Sequence, residues 1–229
     1  AAAIVWLLRQ EHPLIDLRTL RIPTFAATDA RAGVLIRIGV NAAPFLLPLM
    51  FQVGFGLDAF QSGTLVVAYF IGNLVAKTVT TPTLRRFGFR SVLVVNGCIA
   101  GLSTAACGLL APDTAYAAIV AILFVAGATR SMQFTALATL AFADVDADRR
   151  SSATTISSMS QQLSMVFGVA VAAGCLNLFQ LWRGAPALGL ADFHAALVAM
   201  GALVAIASLC FLVLTRDAGA EVSGHRQSA

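Results

Sequence analysis

The sequence predicts an all-α membrane protein, a bundle of six transmembrane helices, and three observations predict it. Of 229 residues, 59% are apolar and 11% charged, against roughly 45–50% and about 25% in soluble domains. Mean hydropathy is +0.84. Six separate stretches each approach the roughly 20 mainly apolar residues needed to cross about 30 Å of hydrocarbon. The net charge of +4 is scattered as single arginines and pairs, with no block of five or more; such a pattern signals topology rather than nucleic-acid binding.

Residues 1–8 (AAAIVWLL) are too short to span and lack the charged start and cleavage site of a signal peptide, so they are expected to be the remnant of an upstream transmembrane helix. Residues 9–32 mix Leu14, Ile15, Leu17, Leu20, Ile22 and Phe25 with Asp16, Arg18 and Arg21. That mixture is too polar to cross and too apolar to dissolve, which predicts an interfacial connector. The six-helix domain occupies 33–214, with spans at 33–53, 63–83, 91–111, 115–138, 153–179 and 193–214. Breaks fall at Gly54–Asp58, Arg85–Gly88, Ala111–Asp113, Asp144–Arg150 and Trp182–Pro186, each carrying turn formers or charge. Residues 215–229 are polar and predict a disordered tail.

Excess Arg and Lys stay on the cytoplasmic side of a membrane. Arg9, Arg18, Arg21, Arg31, Arg85, Arg86, Arg90, Arg149, Arg150, Arg216 and Arg226 fall on one side of this topology and Arg183 alone on the other. The connector and the carboxyl tail are therefore expected in the cytoplasm.

Three basic residues remain inside spans: Arg37, Lys77 and Arg130. A basic side chain at the bilayer centre costs about 2.5–3.5 kcal/mol even on a lenient scale, so it faces a cavity or a partner. Arg37 and Lys77 stand close enough to a span end to snorkel as an alternative, whereas Arg130 lies too deep. Helical spacing gathers polar groups into stripes: Arg37, Asn41, Pro44 and Pro48 in the first span, Tyr69, Asn73 and Lys77 in the second, Arg130 and Gln133 in the fourth, and Thr154, Ser158, Gln161 and Gln162 in the fifth. The third and sixth spans carry almost nothing comparable. A substrate cavity lined by Arg130, Gln133, Arg37, Asn41, Asn73, Lys77, Gln161 and Gln162 is the expectation, with Pro44 and Pro48 kinking the first helix beside it.

The plainer alternative for the Ser/Thr/Gln stripe is interhelical hydrogen bonding. Gly97, Gly101 and Gly168 are expected to serve close packing. Cys98, Cys107, Cys175 and Cys210 form no metal-ligand spacing, and Cys98 and Cys107 fall on opposite faces of one helix, so packing is again expected. No acidic residue falls within a span, so a proton-carrying carboxylate is expected elsewhere, and His194 is expected to be interfacial rather than a proton relay.

The runs Arg37-Ile38-Gly39, Ala43 through Leu57 (APFLLPLMFQVGFGL) and Gln61-Ser62-Gly63 resemble the start of the carboxyl half of a fourteen-helix drug:proton antiporter of the major facilitator superfamily. Arg130 through Leu137 (RSMQFTAL), Thr139-Leu140, Ala143-Asp144-Val145, Gln161 through Ser164 and Gly168-Val169-Ala170 fit the same pattern, and His12 through Leu17 is similar to the linker entering that half. The resemblance implies two inverted three-helix repeats, with the first, second, fourth and fifth helices lining a cavity and the third and sixth outside. It implies a proton-coupled efflux permease of the bacterial cytoplasmic (inner) membrane whose partners are its missing N-terminal half, the lipid bilayer, a small amphipathic substrate and protons, without cofactor, metal or nucleic acid. The loop of Arg85, Arg86, Gly88 and Arg90 is similar to the superfamily's signature loop but lacks its leading Gly and its Asp, and Asp144 falls in the next cytoplasmic loop. An organic-anion uptake permease using Arg37, Lys77 and Arg130 as counter-charges, or a non-transporting scaffold fragment, are the alternatives. An enzyme is disfavoured, since no HExxH, GxSxG or Walker sequence is present.

Overall fold

Asp58 opens the longest helix with a reciprocal cap. Its carboxylate accepts from the Gln61 backbone N–H at 2.8 Å, and the Gln61 side chain accepts from the Asp58 N–H at 3.2 Å. The computed structural model describes residues 16–215 and 218–223. In chain order the helices are α1 (Pro23–Asp29), α2 (Ala32–Leu49), α3 (Ala59–Cys107), α4 (Tyr116–Ala141), α5 (Arg150–Arg183), α6 (Leu190–Leu209) and the short α7 (Ala220–Ser223). Among the described residues every regular element is helical.

A straight helix the length of α3, 49 residues, would run about 73 Å, more than twice the hydrocarbon thickness. Gly88 prevents this: at φ 72° and ψ 164° it leaves helical geometry for a backbone region that L side chains rarely adopt. The two arms, 59–87 and 89–107, fold back on each other. Leu65, Val66 and Tyr69 of the first share a core with Cys107 of the second, while Leu84 and Phe89, either side of the break, share another. Counting both arms, α2 to α6 supply six spans. The loop expected at Arg85–Gly88 contracts to a single residue, and Arg85, Arg86 and Arg90 lie on the helical arms.

Two large cores stack along the bundle, with a smaller third around Phe25, Ala141, Val145 and Ala153. One joins Leu46, Leu47, Met50 and Phe51 to Leu123, Leu176 and Phe193; the other joins Ile36 and Val40 to Leu93, Leu137, Val204 and Phe211. Lipid tails are as apolar as leucine, so helices in a bilayer associate by close packing, which small residues permit. Gly72 lies against the Phe124 backbone and Gly127 against that of Tyr69, so α3 and α4 cross almost backbone to backbone. Gly101 and Gly201 do the same for α3 and α6, Gly97 lies against Ser208, and Gly168 packs on Ile38 and Asn41.

The first helix of the bundle stays helical through Pro44 and Pro48, then widens into a π turn at Met50–Gly54. Each proline removes an N–H from the helix, and the Ser62 hydroxyl donates to the Pro48 carbonyl at 3.1 Å.

Two expectations for the flanks need correction. Part of the interfacial connector folds as α1, which buries Thr24, Phe25, Ala26, Thr28 and Asp29 in the bundle, because Ala30–Arg31 breaks the helix and lays α1 against α4, α2 and α5. Residues 218–223 form a turn and α7 where disorder was expected, since Gly219 at φ 71° turns the chain against Phe89 and Leu140. The expectations for residues 1–8, Arg9, Arg216 and Arg226 fall outside the described residues.

Coverage differs along the chain. The most apolar window of 23–54 is 56% buried, and that of 147–183 only 22%. Met159, Leu163, Val166, Phe167 and Leu178 of α5 are exposed, so this helix presents a long apolar face outward.

Candidate functional site

Arg130 stands near the middle of α4, where neighbouring helices surround it. Its Nη2 donates to Asn41 Oδ1 of α2 at 3.0 Å. Its guanidinium carbon lies 5.0 Å from the centre of the Phe134 ring one turn further on, a cation–π distance. Gly168 of α5 packs on Asn41, and the buried Tyr69 of α3 lies with its backbone against Gly127, one turn before Arg130. The site therefore draws on α2, α3, α4 and α5. Arg130 is half-buried, and its buried Nε has no hydrogen-bond partner among the described residues. Among the described residues no carboxylate is a hydrogen-bond or ion-pair partner of Arg130, so a cation held by a neutral amide and a ring keeps donors for an anionic or polar guest.

Arg37 does not join this site. It is fully buried: Nη1 donates to Asp29 Oδ1 at 3.0 Å and to the Thr28 carbonyl at 2.8 Å. The Asp29 carboxylate also accepts from the hydroxyls of Ser157 at 3.0 Å and Thr28 at 2.9 Å, and the Ser160 hydroxyl donates to the Asp29 carbonyl at 2.7 Å. This sealed cluster pins α1, α2 and α5 together, and Arg37 neither lines a cavity nor snorkels. Sequence reasoning missed Asp29 because it sits outside the apolar run. The available signal was an acid eight residues before an arginine near the start of a span.

Gln133, expected beside Arg130, turns the other way. Its Nε2 donates to the Leu93 carbonyl at 3.1 Å, and its Oε1 accepts from Asn96 Nδ2 at 2.9 Å. Asn96 also donates to the Thr129 carbonyl at 2.9 Å, and the hydroxyls of Ser103 and Thr129 lie 3.3 Å apart. Gln133 is fully buried, clamping α4 to the second arm of α3. The third span thus does carry a polar anchor, an asparagine within an apolar run, which the stripe analysis passed over.

On α3 the stripe runs from buried Tyr69 through half-buried Asn73 to exposed Lys77. Gln161 is half-buried and donates to the Ser157 hydroxyl at 3.3 Å, so it belongs with the Asp29 cluster, while Gln162 is exposed. At the arginine-rich end Asp144 accepts from the Thr24 hydroxyl at 2.8 Å, and Arg149 lies 3.7 Å from Asp16. Arg86 sits 5.5 Å from the Phe87 ring centre. At the opposite end Arg183 pairs with Asp192, and His194 Nε2 lies 2.9 Å from the Leu110 carbonyl, tying α6 to the turn after α3. Among the described residues no group of three or more His, Cys, Asp or Glu is placed to hold a metal.

Comparison with known proteins adds the following. The sequence profile described as Major Facilitator Superfamily matches residues 32–228. A protein of Pectobacterium carotovorum named for multidrug resistance, MdtD, is 32% identical over 75% of this chain and 36% of its own length. Its namesake in Serratia proteamaculans is 30% identical over 89% of this chain and 43% of its own. HsrA of Haemophilus influenzae, named as a transport protein, is 31% identical over 74% of this chain and 36% of its own. The chain thus spans well under half the length of these relatives, which are named as transport or resistance proteins and not as enzymes.

Proposed function

Because the chain belongs to the Major Facilitator Superfamily, we propose that it forms the carboxyl-terminal half of a proton-coupled efflux permease for small amphipathic compounds, with Arg130 on the substrate route. The observation that carries this reading is the state of Arg130: half-buried, bonded to neutral Asn41, and without a carboxylate partner among the described residues. A guanidinium so placed in apolar surroundings is tolerated where it meets a wet passage or a guest. The guest would be anionic or neutral rather than cationic, since the described residues supply no acid partner to Arg130. Transport would proceed by alternating access, this bundle rocking against an N-terminal half that contributes the opposing wall and the proton carrier. The outward apolar faces of α5 and of the first arm of α3, including Phe70, Leu74 and Phe167, suit such a partner and the bilayer around it. The positive-inside rule supports a cytoplasmic arginine-rich end, with the bundle in a bacterial inner membrane.

In the complete transporter, Arg130→Ala should abolish drug efflux while the protein still reaches the membrane. Arg130→Lys, which keeps the charge but loses the planar fork, should retain a reduced rate. Unchanged efflux in Arg130→Ala would reject the reading. Organic-anion uptake is the second reading, favoured by the same unneutralised cation; Arg37 no longer counts toward it, because Asp29 already neutralises it. Flux direction in vesicles under an imposed pH gradient separates the two.

A further inference from the structure

Gly88 does more than reverse the chain. Where the two arms of α3 part from it, they leave a crevice of about 430 Å³ closed on one side by α4. Thr83 and Phe87 line it from the first arm, Ser91, Val95 and Ile99 from the second, and Met132 from α4. The walls are mainly apolar and reach from the end of the bundle toward its middle. At the mouth the chemistry changes. The Arg86 guanidinium lies 5.5 Å from the centre of the Phe87 ring that forms the crevice lip, and Arg90 stands on the second arm two residues beyond Gly88, at the same end of the hairpin. Arg86 is exposed and Arg90 half-buried. Helix α3 contains no acidic residue, so nothing on either arm neutralises these charges.

A slot for a hydrocarbon chain with Arg86 at its lip and Arg90 at the same end of the hairpin, at the level where a membrane-spanning hairpin ends, is complementary to one kind of molecule. We propose that the crevice at Gly88 binds an anionic glycerophospholipid, with one acyl chain between the arms of α3 and the phosphate held by Arg86 and Arg90. Guanidinium groups suit phosphate because they offer paired N–H donors in its plane, and basic pockets between transmembrane helices are general headgroup sites. The inference does not depend on what is transported or in which direction. It assigns the site a structural lipid that braces the hairpin at its only break.

The test uses the intact transporter in phosphatidylcholine nanodiscs, with phosphatidylglycerol added as the probe. Lipid retention is read by native mass spectrometry and the unfolding midpoint by light scattering. Phosphatidylglycerol should be retained and should raise the midpoint above that in phosphatidylcholine alone. Arg86→Gln with Arg90→Gln should weaken retention roughly thirtyfold, the product of two headgroup contacts, and remove the rise. Val95→Trp, which fills the crevice from an exposed position and leaves both arginines in place, should also abolish retention. Arg150→Gln, an equal change of charge elsewhere at the same end, should leave it intact. The proposal is overturned by equal midpoints in the two lipids, by retention that survives Val95→Trp, by an equal loss in Arg150→Gln, or by inorganic phosphate reproducing the rise.

Discussion

Arg37 and Arg130 are both arginines inside apolar helices, and the bundle treats them oppositely. Arg37 is sealed: it shares a fully buried ion pair with Asp29, and hydroxyls from α1 and α5 complete the carboxylate's shell. Arg130 is left open, joined to a neutral amide and an aromatic face across the centre of the bundle. The same residue type therefore ends in a neutralised ion pair at one place and beside a neutral amide at another. What separates them is whether a carboxylate arrives from a neighbouring element.

The largest effect that would sharpen this contrast lies at Asp29. Asp29→Ala leaves Arg37 buried and uncompensated, and removing one partner of a buried pair costs about 3–5 kcal/mol. The purified protein should show a steep fall in unfolding midpoint or fail to accumulate in membranes. Replacing both partners, Asp29→Leu with Arg37→Met, should recover much of that loss, since an apolar pair of similar volume removes both unmet charges. Arg130→Ala should behave differently, shifting stability by about 1 kcal/mol or less because it deletes a lone hydrogen bond and an unpartnered Nε together. Equal destabilisation by Arg130→Ala and Asp29→Ala would break the contrast.

A smaller effect is expected at the clamp between α4 and α3. Asn96→Leu removes two buried hydrogen bonds and should cost about 1–2 kcal/mol in unfolding free energy, with substrate affinity unchanged. A change in affinity would return Gln133 to the substrate route. The smallest shift should follow Arg183→Gln, whose partner Asp192 keeps its bond from the Gly189 N–H at 2.9 Å; the midpoint should barely move.

The spans were legible because a bilayer imposes a length and a composition, and apolar runs report both. The break at Arg85–Gly88 was legible as a position, but its sharpness was not, because only the backbone at Gly88 shows that one residue suffices. The polar stripes named most of the right residues on the right helices. They could not say which way each pointed: Arg130 and Gln133 are three apart on α4, yet one reaches Asn41 and the other Asn96. Helical spacing fixes angles around one axis and is silent about which neighbour occupies each angle.

By itself, then, the order of residues determined that this chain belongs in lipid and where its membrane-length apolar helices lie, since both follow from transfer free energy summed along a helix. Tertiary structure alone decided which buried cations are neutralised. That depends on Asp29 of α1 and Ser157 of α5 meeting at one point from positions 128 residues apart, and electrostatic energy is set by distance in space rather than along the chain.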